Sequence, residues 1–454
     1  MKHYNTLKYE FVHLLVKSFH SLKFKIQNSK LCFLQVGLLI TPFLSNMSYG
    51  QVPDSLSLDY CIQNAVRNYP LSRQKTMFSD INDLKIHNLR KAYLPQININ
   101  GQATYQSDVT EIPISLPSFN LPTIDKDSYK ATIDVSQLIY DGGMNRNQEK
   151  IENATCRVDL QNVEIELYKL RERINQIYFN VLMLNENARQ VVLVQEELRS
   201  KLAKTESAVR NGISVQSSYD ILKAEMLKTE MQLIDILYAN KEGINMLEVL
   251  TGLVIPDSVK LVEPETKQVN VPENKRPEMK QFGFQSQKTE SLKKLVTAKY
   301  LPKLSGFGQF GYGKPGLNML SDEFDRFYLV GLKLTWSPWN WNHDKNEINI
   351  IETQNELIKT QSETFDKNQK AAIDKELSEI EKYTRLISID NEVIITRESI
   401  LKTSSSQFDN GIITVSDYLT DLNNLSQARL NLNIRKIHLS RTKINLLNLS
   451  GMQQ

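Results

Sequence analysis

The residues able to do covalent or metal chemistry are few and scattered. Beyond residue 50 the histidines are His87, His343 and His438, and the cysteines are Cys61 and Cys156. No His-Glu-x-x-His, Cys-x-x-Cys or Gly-x-Ser-x-Gly spacing joins them into a metal or nucleophile site. An enzyme needs a convergent polar constellation, so the expectation is a chain without catalytic residues, cofactor or metal. One stretch, Gly306-Phe-Gly308-Gln-Phe-Gly311, does match a dinucleotide fingerprint. A working fingerprint follows a strand and opens a helix, whereas this one lies inside an alternating strand pattern, where glycine relieves crowding in a curved sheet. The remaining polar residues are spread along regular elements.

The elements that would position them begin behind a basic leader. Residues 1–50 hold six lysines against Glu10, then an apolar run from Leu31 to Leu44 and a small, polar exit. That order predicts a secretory signal peptide over 1–50, with an uncleaved inner-membrane anchor as the other reading. Cys32 lies in the run; Cys61 and Cys156 lie in helical patterns and read as buried thiols. The formal charge of +3 comes from this leader, since the rest carries 49 basic and 51 acidic residues. A near-neutral remainder gives no electrostatic signal for nucleic acid. No later segment reaches the 18 or more apolar residues of a spanning helix, so any later membrane crossing would use strands.

The chain is one unit written twice. Tyr93-Leu94-Pro95 recurs 207 residues later as Tyr300-Leu301-Pro302, and Pro70 recurs as Pro277. Beyond residue 128 the offset becomes 199: Tyr129 pairs with Tyr328, Asn211-Gly212-Ile213 with Asn410-Gly411-Ile412, Tyr219 with Tyr418, and Gly252 with Gly451. The expected division is a first repeat over 51–252, a proline-containing linker over 253–275 and a second repeat over 276–454.

Each repeat reads helix, strand, loop, strand, very long helix, tight turn, helix. Strands are expected at 95–107 and 128–139, then at 302–312 and 327–337, alternating apolar and polar residues as in Ile97, Ile99, Ala103, Tyr105 against Asn98, Asn100, Gln102, Thr104. Such strands suit a membrane barrel wall or an antiparallel sheet on a soluble core. From Asn145 to Arg210 no glycine or proline intervenes. Two heptad lines run through this stretch: Leu160, Leu167, Ile174, Val181, Ala188 and Leu202, broken by Gln195; and Val163, Leu170, Ile177, Leu184, Val191 and Leu198. The copy from Lys345 to Asp409 keeps one apolar line, but the other becomes Glu376, Tyr383, Asp390 and Arg397, a face expected to meet water. Each long helix ends at Asn-Gly, with tips expected at 211–214 and 410–413. Four strands cannot close a barrel, so strands in lipid would require several copies.

Asn68-Tyr69-Pro70-Leu71, Tyr93-Leu94-Pro95, Ile139-Tyr140-Asp141-Gly142-Gly143, Arg276-Pro277-Glu278 and the paired Asn-Gly turns, in this order, resemble the outer-membrane efflux protein family, of which TolC is the type member. The resemblance covers residues 56–452. It implies an α plus transmembrane β fold: a homotrimer whose twelve strands form an outer-membrane β-barrel, continued by a periplasmic α-helical barrel. It also implies a role in tripartite efflux or type I secretion, with a periplasmic adaptor (membrane fusion protein) and an inner-membrane transporter as partners and outer-membrane lipid as surroundings. Adaptor docking would fall on the tips, Arg210, Asn211, Gly212, Ile213, Asp409, Asn410, Gly411 and Ile412. The pore constriction would involve Asp417, Thr420 and Asp421. Thr420 stands where the family carries a second acid, and Ile413 where it often carries arginine; for Asp417 a solvated helix-start carboxylate remains the other reading. The alternative function is an exported coiled-coil scaffold that transports nothing.

Overall fold

The computed structural model describes residues 55–109, 125–256, 259–264, 274–319 and 321–451. The expected leader and most of the first hairpin loop lie outside them. The first copy runs β1 (Ser55–Leu56), α1 (Leu58–Asn68), a 3-10 turn (Pro70–Arg73), α2 (Gln74–Lys91), β2 (Gln96–Tyr105), β3 (Asp127–Tyr140), α3 (Met144–Arg210) and α4 (Gln216–Thr251). After β4 (Lys260–Leu261) come α5 (Pro277–Lys299), β5 (Lys303–Lys314), β6 (Asp325–Thr335), α6 (His343–Asp409) and α7 (Val415–Leu449).

The duplication is physical as well as textual. Asn68 Nδ2 donates to the Thr251 carbonyl at 2.9 Å beside Gly252, and the Lys275 N–H donates to the Ser450 carbonyl at 2.9 Å beside Gly451. Asn68 and Lys275 each stand two residues before a repeated proline, Pro70 and Pro277, so each copy closes its start onto its own end. A side chain at Gly451 would strike the Lys275 backbone, which explains why this closure takes glycine. Arg276, buried, then ties the second copy to α3 through Glu172 at 2.7 Å and lies 4.7 Å from the centre of the Tyr168 ring.

The long helices α3 and α6 have 67 residues each, about 100 Å at the usual helical rise. Along α3, Val163, Leu167, Leu170, Ile174, Tyr178, Phe179 and Val181 pack with α1 (Leu58, Cys61, Ala65), α4 (Leu247, Leu250) and α7 (Ile437, Ile444). Each such side chain contributes roughly 1.5–3 kcal/mol on burial. Gln195, the break in the heptad, is buried nonetheless, while Leu160, Ile177, Leu184, Val191, Ala188 and Leu202 are half-buried. Cys61 is fully buried, and burial pushes its thiol up to about 12; Cys156 is only half-buried.

One element had no sequence signal: β1 and β4 pair in parallel, Leu56 with Leu261, and the Tyr178 hydroxyl sits 2.6 and 2.7 Å from the Leu56 and Val262 carbonyl oxygens. The second hairpin also departs from expectation. Of the polar line only Asp390 is buried, while Glu376, Tyr383 and Arg397 stay half-exposed beside α7. Asp390 is buried against Arg435, the Tyr383 ring stacks on His438 at 5.5 Å, and Glu376 hydrogen-bonds Asn445, all on α7. A heptad line faces its partner helix whatever its polarity, and here α7 supplies polar partners.

Candidate functional site

Two regions carry the surfaces that a core would not leave exposed. The first is the sheet, ordered β2-β3-β5-β6 and antiparallel throughout. Its register lines up Ile99, Ile133, Phe310 and Tyr328 across all four strands, with Ile97, Val135, Gly308 and Val330 in the next outward row. Ile99 is 82% exposed and Leu332 71%, so this face is apolar and uncovered. The opposite face is mixed: Asn100, Thr132 and Gln309 donate to the Asp134 carboxylate, and Leu329 stands exposed in the same row. On that same face the Phe327 ring covers Gly311, beneath Lys130. The glycine fingerprint therefore lies within β5 and opens no helix.

Aromatic residues mark both ends of the apolar face. Tyr93, Tyr140, Trp336, Trp339 and Trp341 are exposed at the end where all helices attach, and Tyr105, Tyr129, Tyr312 and Phe324 at the loop end. Phe324 lies between Tyr312 and Tyr129, with ring centres 5.4 and 6.3 Å away.

The second region is the pair of helical tips. At each, glycine adopts the left-handed conformation that ends a helix, with φ +73° at Gly212 and +69° at Gly411. The reversal is closed by Ile213 N–H to Ala208 O at 2.8 Å and by Ile412 N–H to Gln407 O at 2.9 Å. Those bonds turn Ile213 and Ile412 outward, 80% and 70% exposed. Asn211 and Asn410 cap the helices. Arg210 pairs with Glu206 of its own helix at 2.6 Å.

Asp409, by contrast, reaches across to α3. It accepts from Lys201 at 2.7 Å, and the Lys201 side chain is only 4% exposed. Lys201 Nζ also lies over the rings of Tyr418 and Phe408, which stack on each other, and the Tyr418 hydroxyl donates to Glu197 at 2.8 Å. Burial, with that bond, pushes the Tyr418 phenol far above its ordinary range. Sequence reasoning missed Glu197, Lys201 and Phe408. The repeat pair Tyr219–Tyr418 was the available signal, since only the second tyrosine becomes fully buried.

The three candidate constriction residues do not act alike. Asp417 is exposed and caps α7: the Thr414 N–H and hydroxyl donate to its carboxylate at 3.1 and 2.7 Å, while its own N–H donates to Thr414 Oγ1. The Thr414 hydroxyl and backbone bonds hold its carboxyl below the usual range. Thr420 is exposed and bonds the Ser416 carbonyl of its own helix at 2.8 Å. Asp421 turns inward and accepts from Ser404 of α6.

Residues 85–253, from within α2 through the first long hairpin, match the family described as outer membrane efflux protein. Over those residues the chain resembles that family. No curated protein sequence matches it. Among solved structures, the chain is similar to the outer membrane protein VceC of Vibrio cholerae, with TM-score 0.66 and 14% identity over 87% of this chain and 96% of that one. It is similar to the Campylobacter jejuni CmeC outer membrane channel, with TM-score 0.66 and 14% identity over 87% of this chain and 85% of that one. The open state of the Neisseria gonorrhoeae MtrE outer membrane channel gives TM-score 0.64 and 13% identity over 87% and 89%. At such identity these likenesses establish the fold, in both repeats.

Proposed function

We propose that this chain is the outer-membrane channel of a tripartite efflux or type I secretion system. The observation that carries this reading is the uncovered apolar sheet face bounded by aromatic residues at both ends, with every helix leaving from one end. Apolar bands between aromatic girdles are how barrel walls sit in a bilayer. The outer edges of β2 and β6 have no strand partner in the four-stranded sheet. In lipid each unpaired backbone group costs several kcal/mol, so copies must join edge to edge. Three copies would give a twelve-stranded barrel, with the α3–α4 and α6–α7 hairpins continuing as a periplasmic tunnel. An exported scaffold would have no use for the apolar face.

In this reading the units are a leader over 1–50, repeats over 51–252 and 276–454, and a linker over 253–275. The tips, Arg210 to Ile213 and Asp409 to Ile412, receive a periplasmic adaptor fed by an inner-membrane transporter, with Ile213 and Ile412 as the apolar knobs. Asp417 and Thr420, exposed past the second tip, face the narrow mouth, and Asp421 supports them from the α6 side.

Reconstitution tests the reading. Protein from the outer-membrane fraction, crosslinked as trimers, is expected to give single-channel conductance in planar bilayers, with cation preference reduced by Asp417→Ala because a ring of carboxylates concentrates cations. A stable monomer without conductance would leave the scaffold reading in its place.

A further inference from the structure

Among the described residues two cations lie on the apolar face near its loop end, Lys314 and Arg326, and only Lys314 is held by acids. Arg326 lies on β6 in register with Tyr312, which is in register with Ala131 and, through it, Gly101. That row puts Arg326 on the outward side, at the level of the loop-end aromatics, and its side chain is exposed. Among the described residues no ion pair joins it. The nearby acids Asp125 and Asp322 are engaged by Lys314 at 2.5 and 3.3 Å. Beside Arg326 the small residues of its row leave a hollow of about 540 Å³, lined by Ile99, Ala131, Ile133, Phe310, Tyr312 and Tyr328 among others.

We infer that this hollow and Arg326 together bind one anionic phospholipid, its acyl chain against Ala131 and its phosphate on the guanidinium. The inference rests on the proposed membrane position of the sheet. A guanidinium facing lipid with no carboxylate to pair must find an anion or water, and its planar fork fits a phosphate bidentately. Aromatic residues collect at the headgroup level, so Tyr129, Tyr312 and Phe324 set Arg326 where a phosphate lies. The hollow is shallow and open to the surroundings, which suits an acyl chain lying along the sheet and not a ligand enclosed by it. Charge selects the headgroup class, and the small side chain of Ala131 makes room for the chain.

The test is native mass spectrometry of the full-length assembly released from nanodiscs of equal phosphatidylglycerol and phosphatidylcholine, with membrane insertion checked in parallel. Wild type should retain phosphatidylglycerol preferentially. Arg326→Gln should lower that retention about ten-fold, the scale of one hydrogen bond to a charged group, without changing phosphatidylcholine. Arg326→Lys should fall between them, and Ala131→Phe, which fills the hollow, should lower retention of both lipids. Equal retention of phosphatidylglycerol by inserted wild type and inserted Arg326→Gln overturns the site alone. A chain that inserts nowhere and retains neither lipid overturns the site together with the membrane reading.

Discussion

The two long hairpins have equal first helices and equivalent glycine reversals, yet they are held together by opposite chemistry. Helix α3 buries a mainly apolar stripe, interrupted by Asn175, Gln190, Gln195 and Lys201, whereas the buried residues of α6 are Gln369, Asp390 and Ser404. Surroundings account for the difference. Helix α3 meets α1, α2, α4, α5 and α7, so its seam is enclosed and apolar side chains are rewarded on every side. Helix α6 meets chiefly α5 and α7, and its seam to α7 runs through Glu398–Arg429, Asp390–Arg435 and Tyr383–His438. Hairpin geometry thus follows from helix length and turn residues, and seam chemistry follows from how many neighbours close over it.

The largest break in this comparison should come from the first seam. Phe179→Ala, at a fully buried site, is expected to destabilise the protein by about 3–5 kcal/mol in urea unfolding followed by helical circular dichroism. The exposed apolar residue Leu377 of α6, cut to alanine in the same assay, should change stability by less than about 0.5 kcal/mol. Comparable losses at both positions would remove the distinction between the seams.

A smaller effect should come from the polar seam. Asp390→Asn leaves the Arg435 guanidinium without its carboxylate and is expected to cost about 2 kcal/mol. Replacing both partners, Asp390→Leu with Arg435→Met, should restore most of that loss, because an apolar pair avoids the desolvation of two charges. If the double variant is worse than the single one, the ion pair is a net source of stability and not a tolerated substitute for apolar packing.

The smallest effect is one of pH. Burial, followed by the Arg441 charge, lowers the His438 pKa. The unfolded imidazole takes its proton near its ordinary value of about 6.5, while the folded one takes it only at lower pH, so this contribution is whole above that value and is lost as pH falls through the folded one. His438→Phe keeps a ring on Tyr383 and removes the titration, so the stability difference between the two proteins should narrow or reverse as pH falls from 7 to 5. Glu376, whose carboxyl is raised by burial, titrates in both proteins and cancels from the difference.

Most of the architecture was legible because it rests on local rules. Asn-Gly marked both reversals, the period-two runs marked all four strands, and the shift of offset from 207 to 199 put the length change in the first hairpin loop. What escaped depends on partners distant in the chain. The two-residue strands β1 and β4 are too short for periodicity and exist because Tyr178 bonds the carbonyls beside them. Lys201 reads as a solvated helix residue until Asp409, 208 positions later, and two aromatic rings close over it. The polar line of α6 was legible as polar but not as paired, since its partners lie on α7.

The central claim is that one face of the sheet lies in lipid and the other does not. Ile99 and Asn98 are neighbours on β2 with side chains on opposite faces, which makes them a matched pair. Folding into lipid vesicles, followed by urea titration, should show Ile99→Lys destabilised by about 2–4 kcal/mol, the cost of a lysine near the bilayer midplane, and Asn98→Lys nearly unchanged. Equal stability of the two variants would contradict the account.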